Sequence, residues 1–316
     1  GGLARAPTGL TNRPSPLGAN PQRAIHGTPM IRATSPSATS KRPPREFCVR
    51  VLRQDGPAQP SYWERFIVPY EADMNVISAL QKIAALGRAA DGRRVPPVAW
   101  ECNCLEEVCG ACTMLVNGRV RQACTALIDR LLDEHPDGIE LRPMTKFPVI
   151  RDLVVDRARM FAILKKLQAW VPVDSYLDLG PGLRQSQENQ QMAYVLSKCM
   201  TCGCCLEACP QFLKIEIPCR EDDTPETFQA RQTAAFDRHF IGAMGIAMVD
   251  LFNSNPIGQM NARQRLDALV AEGGIQVCGN AQNCVRVCPK EIPLTTSIGR
   301  QGRAATIHML RRWFDW

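Results

Sequence analysis

The chain is 316 residues long, 45% hydrophobic and 6% aromatic, with a formal net charge of +7 and 15 cysteines. That length and apolar content suit two domains with ordinary cores. Cysteines in tight groups and odd in number exclude the evenly paired disulfide scaffold of a short secreted domain and point to metal ligation in a reducing compartment. Part of the positive excess lies in an acid-free N-terminal stretch, and no aromatic-interleaved basic patch accompanies it, which sets a nucleic-acid-binding role aside.

Residues 1–45 are rich in Pro, Ser, Thr, Arg and Gly, contain no Asp or Glu, and show no hydrophobic periodicity. Such a composition cannot bury enough apolar surface to offset the entropy of ordering, so a disordered tail is expected. An Arg- and Ser-rich, acid-poor stretch also fits an organelle transit peptide. Its prolines suit an amphipathic helix badly, and the flexible tail is favoured, with Met30 as another possible start. The stretch shows no apolar segment of the secretory-signal type. No segment reaches the ~20 apolar residues of a membrane-spanning helix. The best candidate, Phe240 to Val249, is stopped by Asp250 and is expected as a buried helix.

From residue 46 the pattern changes. Phe47, Val49 and Val51 alternate with Cys48, Arg50 and Leu52, a turn-rich stretch follows, and a second strand is expected over Glu64 to Tyr70, giving a hairpin with a long loop. Asn75 is placed to cap a helix whose apolar face is Val76, Leu80, Ile83 and Ala84. A cysteine-rich loop leads to strands at Thr113 to Val116 and Arg119 to Ala123, joined by Asn117-Gly118, a strong short hairpin signal. Mixed strands around one helix predict a small α+β domain over residues 46–148. Beyond it, Asp152 is expected to open a helix carrying Val154, Ala158, Phe161, Leu164 and Leu167. Further helices are expected at Gln190 to Ser197 and Ala262 to Glu272, the latter stopped by Gly273-Gly274, with an exposed polar insertion at residues 213–235. Residues 149–316 thus read as an all-α domain whose core is partly replaced by metal clusters.

The cysteines carry the chemistry. Cys104-x4-Cys109-x2-Cys112, with Cys124 after a further x11, matches the spacing by which plant-type ferredoxins wrap a [2Fe–2S] cluster, Gly110 and Ala111 letting backbone N–H groups approach the sulfur atoms. Cys102, two residues earlier, competes by position but its spacing to Cys109 fits no such loop, and it is taken as a non-ligand. Cys199-x2-Cys202-x2-Cys205-x3-Cys209-Pro210 is the bacterial-type run whose last cysteine serves the other cluster of a pair. A second run is therefore required, and Cys278-x5-Cys284-x3-Cys288-Pro289 supplies it with its middle position occupied by Ala281. Exchanging the fourth ligands assigns Cys199, Cys202, Cys205 and Cys288 to a [4Fe–4S] cluster, and leaves Cys209, Cys278 and Cys284 as a three-thiolate site suited to [3Fe–4S]. Cys204 stands beside Cys205, and the x3 spacing to Cys209-Pro210 favours Cys205. An isolated zinc site gives no reason for paired runs ending in Cys-Pro. Cys48, Cys102, Cys204 and Cys219 are left as structural cysteines.

This constellation resembles one family, the iron–sulfur subunit of succinate:quinone oxidoreductase (complex II) and quinol:fumarate reductase. The resemblance covers residues 45–316 and is carried further by NVISAL at 75–80, NCLEEVCGACTMLVNG at 103–118, LRPMTKFPVIRDLVVDR at 141–157, SKCMTCGCCLEACP at 197–210, GGIQVCGNAQNC at 273–284 and CPKEIPLTTSI at 288–298. These phrases look most like the bacterial menaquinone-linked branch typified by Gram-positive bacilli, which weakens the transit-peptide reading further. The resemblance implies a plant-type ferredoxin (β-grasp) domain followed by an all-α bacterial-type ferredoxin domain. It implies two partners: a flavoprotein subunit whose covalent FAD oxidises succinate, and a membrane anchor with haem b and quinone, menaquinone in this branch. Electrons would pass from FAD through [2Fe–2S], [4Fe–4S] and [3Fe–4S] to quinone, with no acid–base residue contributed by this chain. The expected location is peripheral, on the cytoplasmic face of the bacterial plasma membrane, with the mitochondrial matrix side less favoured.

Two positions depart from the ubiquinone-linked branch. Where that branch has a quinone-pocket Trp after the Cys-Pro, and a His after the first cysteine of the last run, this chain has Lys214 and Gly279. A quinone site built mainly by the anchor is therefore expected. The Arg311 to Trp316 segment combines cations and aromatics in the manner of an interfacial segment; docking at the anchor or headgroups and packing within the protein stand as equal expectations. The same architecture serves fumarate reduction. A soluble ferredoxin-type reductase subunit is the remaining alternative, disfavoured because no cysteine-rich extension follows Cys288.

Overall fold

The computed structural model describes residues 46–57, 59–172 and 183–314. The tail expected at residues 1–45 and the last two residues of the cationic–aromatic segment lie outside the described residues.

Strands β1 (Glu46–Arg53) and β2 (Tyr62–Pro69) form the expected antiparallel hairpin, with Val49 opposite Phe66 and Arg53 opposite Tyr62. Period-two alternation buries Phe47, Val49 and Val51 from one strand and Phe66 and Val68 from the other. Helix α1 (Val76–Leu86) starts where Asn75 predicts: the Asn75 Oδ1 accepts the Ser78 N–H at 2.9 Å. Its buried residues Ile77, Leu80 and Ile83 join the same core as the hairpin. β3 (Thr113–Val116) and β4 (Arg119–Gln122) pair across the Asn117-Gly118 turn. They are followed by α2 (Ile128–Glu134) and β5 (Ile139–Arg142). β5 is the central strand of a mixed five-stranded sheet, ordered β2-β1-β5-β3-β4, parallel to β1 and antiparallel to β3.

The chain then departs from expectation. Asp152 does not open a helix; it sits in left-handed backbone (φ 46) at the turn between β6 (Val149–Arg151) and β7 (Val154–Val155). Its carboxylate is fully buried and accepts from Arg53 Nε and Nη2 at 3.1 Å each, from the Ala99 N–H at 2.8 Å and from the Gln54 N–H at 3.2 Å. A carboxylate so engaged at a positive φ cannot also begin a helix, and α3 starts six residues later (Ala158–Lys166). Phe161, placed on the apolar face in the sequence pattern, is 66% exposed, while Met160, Ile163 and Leu167 are buried.

The helices that follow are α4 (Gln187–Ser197), α5 (Cys204–Glu207), α6 (Pro225–Arg238), α7 (Gly242–Ser254), α8 (Ala262–Val270), α9 (Asn283–Arg286) and α10 (Leu294–Trp313). The apolar run at 240–249 becomes α7, buried at every position from Gly242 to Asp250 and packed by α4, α5, α8 and α10. The polar stretch is partly helical: Thr224 caps α6 through a reciprocal bond with Thr227, and no residue of α6 is buried. Among the described residues no helix is long and apolar enough to cross a membrane. Sheet and helices together make an α+β fold.

Residues two apart serve two cores, Leu153 in the turn packing with the sheet and Val155 on β7 with α3 and α7. The Arg53–Asp152 pair stitches that crossover, with Glu64 Oε2 2.7 Å from Arg53 Nη1 and the Pro96 carbonyl accepting at 3.0 Å. Removing one member of a buried charge pair strands the other. Asp152→Ala is therefore expected to destabilise the folded protein by about 3 kcal/mol, read as a lower denaturant midpoint. Arg151→Ala, on an exposed neighbour, should change it by less than about 0.5 kcal/mol.

Candidate metal centres

Between α1 and β3 the chain is an irregular loop whose backbone turns toward sulfur. Leu105 (φ 59), Glu107 (φ 57) and Gly110 (φ 75) take left-handed conformations, a pattern that aims successive N–H groups inward. The N–H groups of Val108, Cys109 and Glu106 donate to Cys104 Sγ at 3.2, 3.3 and 3.4 Å. Those of Glu106 and Val108 are the main reason its thiol is drawn down to about 6. Ala111 N–H donates to Cys109 Sγ at 3.5 Å. Cys112 begins to enter the core, and Cys124 returns from the short 3₁₀ turn after β4. Burial, then the hydrogen bond with Cys112, pushes the Cys124 thiol up to about 12, and Cys104 also acts on it through space. The four cysteines singled out by spacing thus come together. Cys102 stands at the edge of the same group, its thiol raised by burial and by Cys112, Cys109 and Cys104.

The two later runs share one backbone plan. Counted from the first cysteine of each, the residue two positions on is left-handed (Thr201 φ 53, Asn280 φ 51), and so is the residue four positions on (Gly203 φ 88, Gln282 φ 60). A four-residue helix follows each, α5 and α9, and each run ends at Cys-Pro. Superposed this way, Ala281 falls where Cys202 stands and Cys284 where Cys205 stands. The helices pack on each other, and Asn283 Nδ2 donates to the Ala208 carbonyl at 3.2 Å.

The runs exchange their last cysteines. A small pocket is lined by Cys199, Cys202, Cys205 and Cys288, closed by Met244, Ile292 and Leu294. A second is lined by Cys209, Cys278 and Cys284, with Ala281 presenting a methyl group to it. Burial, then Cys202, Cys199 and Cys288, holds the Cys205 thiol well above its ordinary range, and burial raises Cys199 to about 11. Cys202 is drawn down to about 7, mainly by its hydrogen bond with Cys204, with a smaller contribution from the Arg157 charge. Cys204 faces the other way, accepting from Gln122 Nε2 at 3.5 Å.

The donor sets fit iron–sulfur clusters on three counts. They are all-thiol, backbone N–H groups point at the sulfur atoms, and the later sets ring pockets rather than meet at a point. Among the described residues no three His, Cys, Asp or Glu side chains converge as a single ion requires. Of the two departures noted in the sequence, Lys214 is on the surface and pairs with Glu216. The space a side chain at 279 would need is filled by Gln211, whose Nε2 would lie 2.6 Å from a Cβ there. Arg157 and Gln122 carry no spacing signal, since Arg157 reaches the first thiol loop across 46 residues and Gln122 reaches Cys204 across 82.

Comparison with known proteins follows the same lines. Residues 48–162 match the family model of a 2Fe-2S iron-sulfur cluster binding domain. The succinate dehydrogenase iron-sulfur subunit of Bacillus subtilis is 48% identical over 264 residues, covering 84% of this chain and 94% of that protein. The fumarate reductase iron-sulfur subunit of Escherichia coli is 26% identical over 239 residues, 75% of this chain and 82% of the relative. Among solved structures, a chain of the Mycobacterium smegmatis Sdh1 complex in the apo form superposes with a TM-score of 0.59 at 20% identity, covering 82% of this chain and 95% of that one, which speaks to the fold. Near-half identity sustained across almost the whole of a relative is decisive, and the chain belongs to the family of succinate dehydrogenase and fumarate reductase iron–sulfur subunits.

Proposed function

We propose that this chain is the electron-transfer subunit of a succinate:quinone oxidoreductase, with [2Fe–2S] held by Cys104, Cys109, Cys112 and Cys124, [4Fe–4S] by Cys199, Cys202, Cys205 and Cys288, and [3Fe–4S] by Cys209, Cys278 and Cys284. The observation that carries it is the exchange of last cysteines between two runs of one backbone plan, which makes a four-thiol pocket and a three-thiol pocket side by side. When bound, such clusters supply one-electron carriers. The residues of this chain hold the thiolates apart in three sets, exclude water with Met244, Ile292, Leu294 and Phe240, and donate N–H groups to sulfur. On this reading residues 46–148 are a plant-type, β-grasp ferredoxin domain and 149–316 a bacterial-type ferredoxin domain. The partners are an FAD flavoprotein and a membrane anchor with haem b and menaquinone, at the cytoplasmic face of the plasma membrane. Gln211 filling the space beside Gly279 supports a quinone site built mainly by the anchor.

Low-temperature EPR of the purified complex is expected to show a [3Fe–4S] signal when oxidised and a [2Fe–2S] signal when reduced; loss of the first from the native protein sinks the three-thiol assignment. Ala281→Cys should add a fourth thiolate, convert that site toward [4Fe–4S] and lower its potential; a site that stays three-iron counts against the superposition of the two runs. A separate pair of variants decides between adjacent thiols. Cys205→Ser should reduce the iron content by one cluster, whereas Cys204→Ser should keep full iron and sulfide.

A further inference from the structure

The first and second thiol sets are in backbone contact. At Gly110 (φ +75) a Cβ would stand 2.7 Å from Cys202 Cα and 2.8 Å from Cys202 Cβ. The loop that carries Cys109 and Cys112 therefore lies directly on a thiol-bearing residue of the second run, with no side chain between them.

Two residues hold this junction. Arg157, at the start of α3, donates from Nη1 to the Gly110 carbonyl at 2.8 Å and from Nη2 to the Ala111 carbonyl at 2.6 Å. Those two residues are the whole of the segment between Cys109 and Cys112. On the other side Gln122 is fully buried. Its Oε1 accepts from the Cys112 thiol at 3.5 Å, while its Nε2 donates to Thr113 Oγ1 at 2.7 Å and to Cys204 Sγ at 3.5 Å.

The two carbonyls orient the Arg157 guanidinium but cannot neutralise it, and an arginine does not deprotonate. Among the described residues the one carboxylate within 4 Å of it is Glu101, 3.8 Å away and half exposed, so solvent screens that pair. The Arg157 side chain itself is only 17% exposed. A nearly unopposed positive charge thus sits where the two thiol loops meet, and a positive charge stabilises whichever neighbouring group gains an electron.

We propose that Arg157 is a positioning residue of the junction between the first two sites, clamping the Gly110-Ala111 backbone against Cys202 and raising, through its fixed charge, the reduction potential of the group held by Cys104, Cys109, Cys112 and Cys124. The inference rests on the cluster assignment above. A brace without an electrostatic role would use the same two hydrogen bonds yet leave the potential alone, so potential is the readout that separates the two.

The test compares the purified membrane complex with Arg157→Gln, Arg157→Lys and Glu101→Gln versions, by EPR-monitored redox titration of the first site's reduced-state signal and by iron content. In Arg157→Gln the reduced-to-oxidised ratio at the native midpoint is expected to fall at least threefold, about 28 mV at 59 mV per decade. Arg157→Lys, which keeps the charge, should shift it less than threefold, and Glu101→Gln, the solvent-screened neighbour, serves as the control and should change it less than about twofold. Arg157→Gln with native iron and a native potential overturns the proposal, as does an equal shift in the Gln and Lys variants. If Arg157→Gln loses the first site's iron, Arg157→Lys decides, and a ratio there that falls threefold or more with iron retained overturns the proposal. A native complex without the first site's signal refutes the cluster assignment itself, whereas a native signal with unmoved variants refutes this inference alone.

Discussion

The constraint on which the helical part depends is that neither cysteine run can complete its own site. Cys288 must reach the pocket of Cys199, Cys202 and Cys205, and Cys209 must reach that of Cys278 and Cys284. Segments about eighty residues apart in sequence are thereby required to lie against one another, which the α5–α9 contact and the Asn283–Ala208 bond satisfy. Everything between them has to leave and return. α7 does so as the buried axis of the region, and α6 as a wholly surface excursion. The apolar sequence of one and the polar sequence of the other follow from that division, since only α7 is surrounded by other helices.

A second constraint joins this region to the sheet. Thiol sets that exchange electrons must be held near one another, yet loops rich in left-handed residues have little regular hydrogen bonding to hold them. The structure compensates with buried polar ties from regular elements. Arg53 on β1 meets Asp152 at the crossover, Gln122 on β4 spans Cys112 and Cys204, and Glu207 on α5 accepts from the Thr145 and Lys146 backbone at 2.9 and 3.0 Å. Each tie is anchored on a helix or strand and reaches into a loop or turn, so rigidity is exported from the elements to the sites.

Local chemistry was legible in the sequence and long-range geometry was not. The Asn75 cap, the Asn117-Gly118 hairpin and the buried run at 240–249 all express interactions within a few residues, and each has its counterpart in the structure. β5 escaped notice because four residues, IELR, carry too little alternation to mark the central strand of a sheet. α10 escaped because Gly299 and Gly302 and its many polar residues blur a twenty-residue helix that tertiary packing on α7 and α8 sustains. Asp152 is ambiguous for the opposite reason: aspartate favours both helix starts and left-handed turns, and only its distant partner Arg53 decides between them.

The arginines near that turn show where sequence patterns stop being informative. Arg151, Arg157 and Arg159 lie within nine residues, and nothing local distinguishes them. Arg151 remains half in solvent. Arg157 grips two loop carbonyls beside Cys202. Arg159 is buried with its guanidinium 3.7 Å from the Phe212 ring centre, donating to the Leu213 and Phe240 carbonyls, and burial alone draws it down to about 10. At that value it is still charged at neutral pH. Arg53, by contrast, is enclosed by two carboxylates. Arg53 is thus neutralised by acids, whereas Arg157 and Arg159, beside the thiol-bearing loops, are satisfied mainly by carbonyl dipoles and keep their charge. A thiol set that ionises on binding iron gains from such a field, and which arginines supply it is decided by the fold.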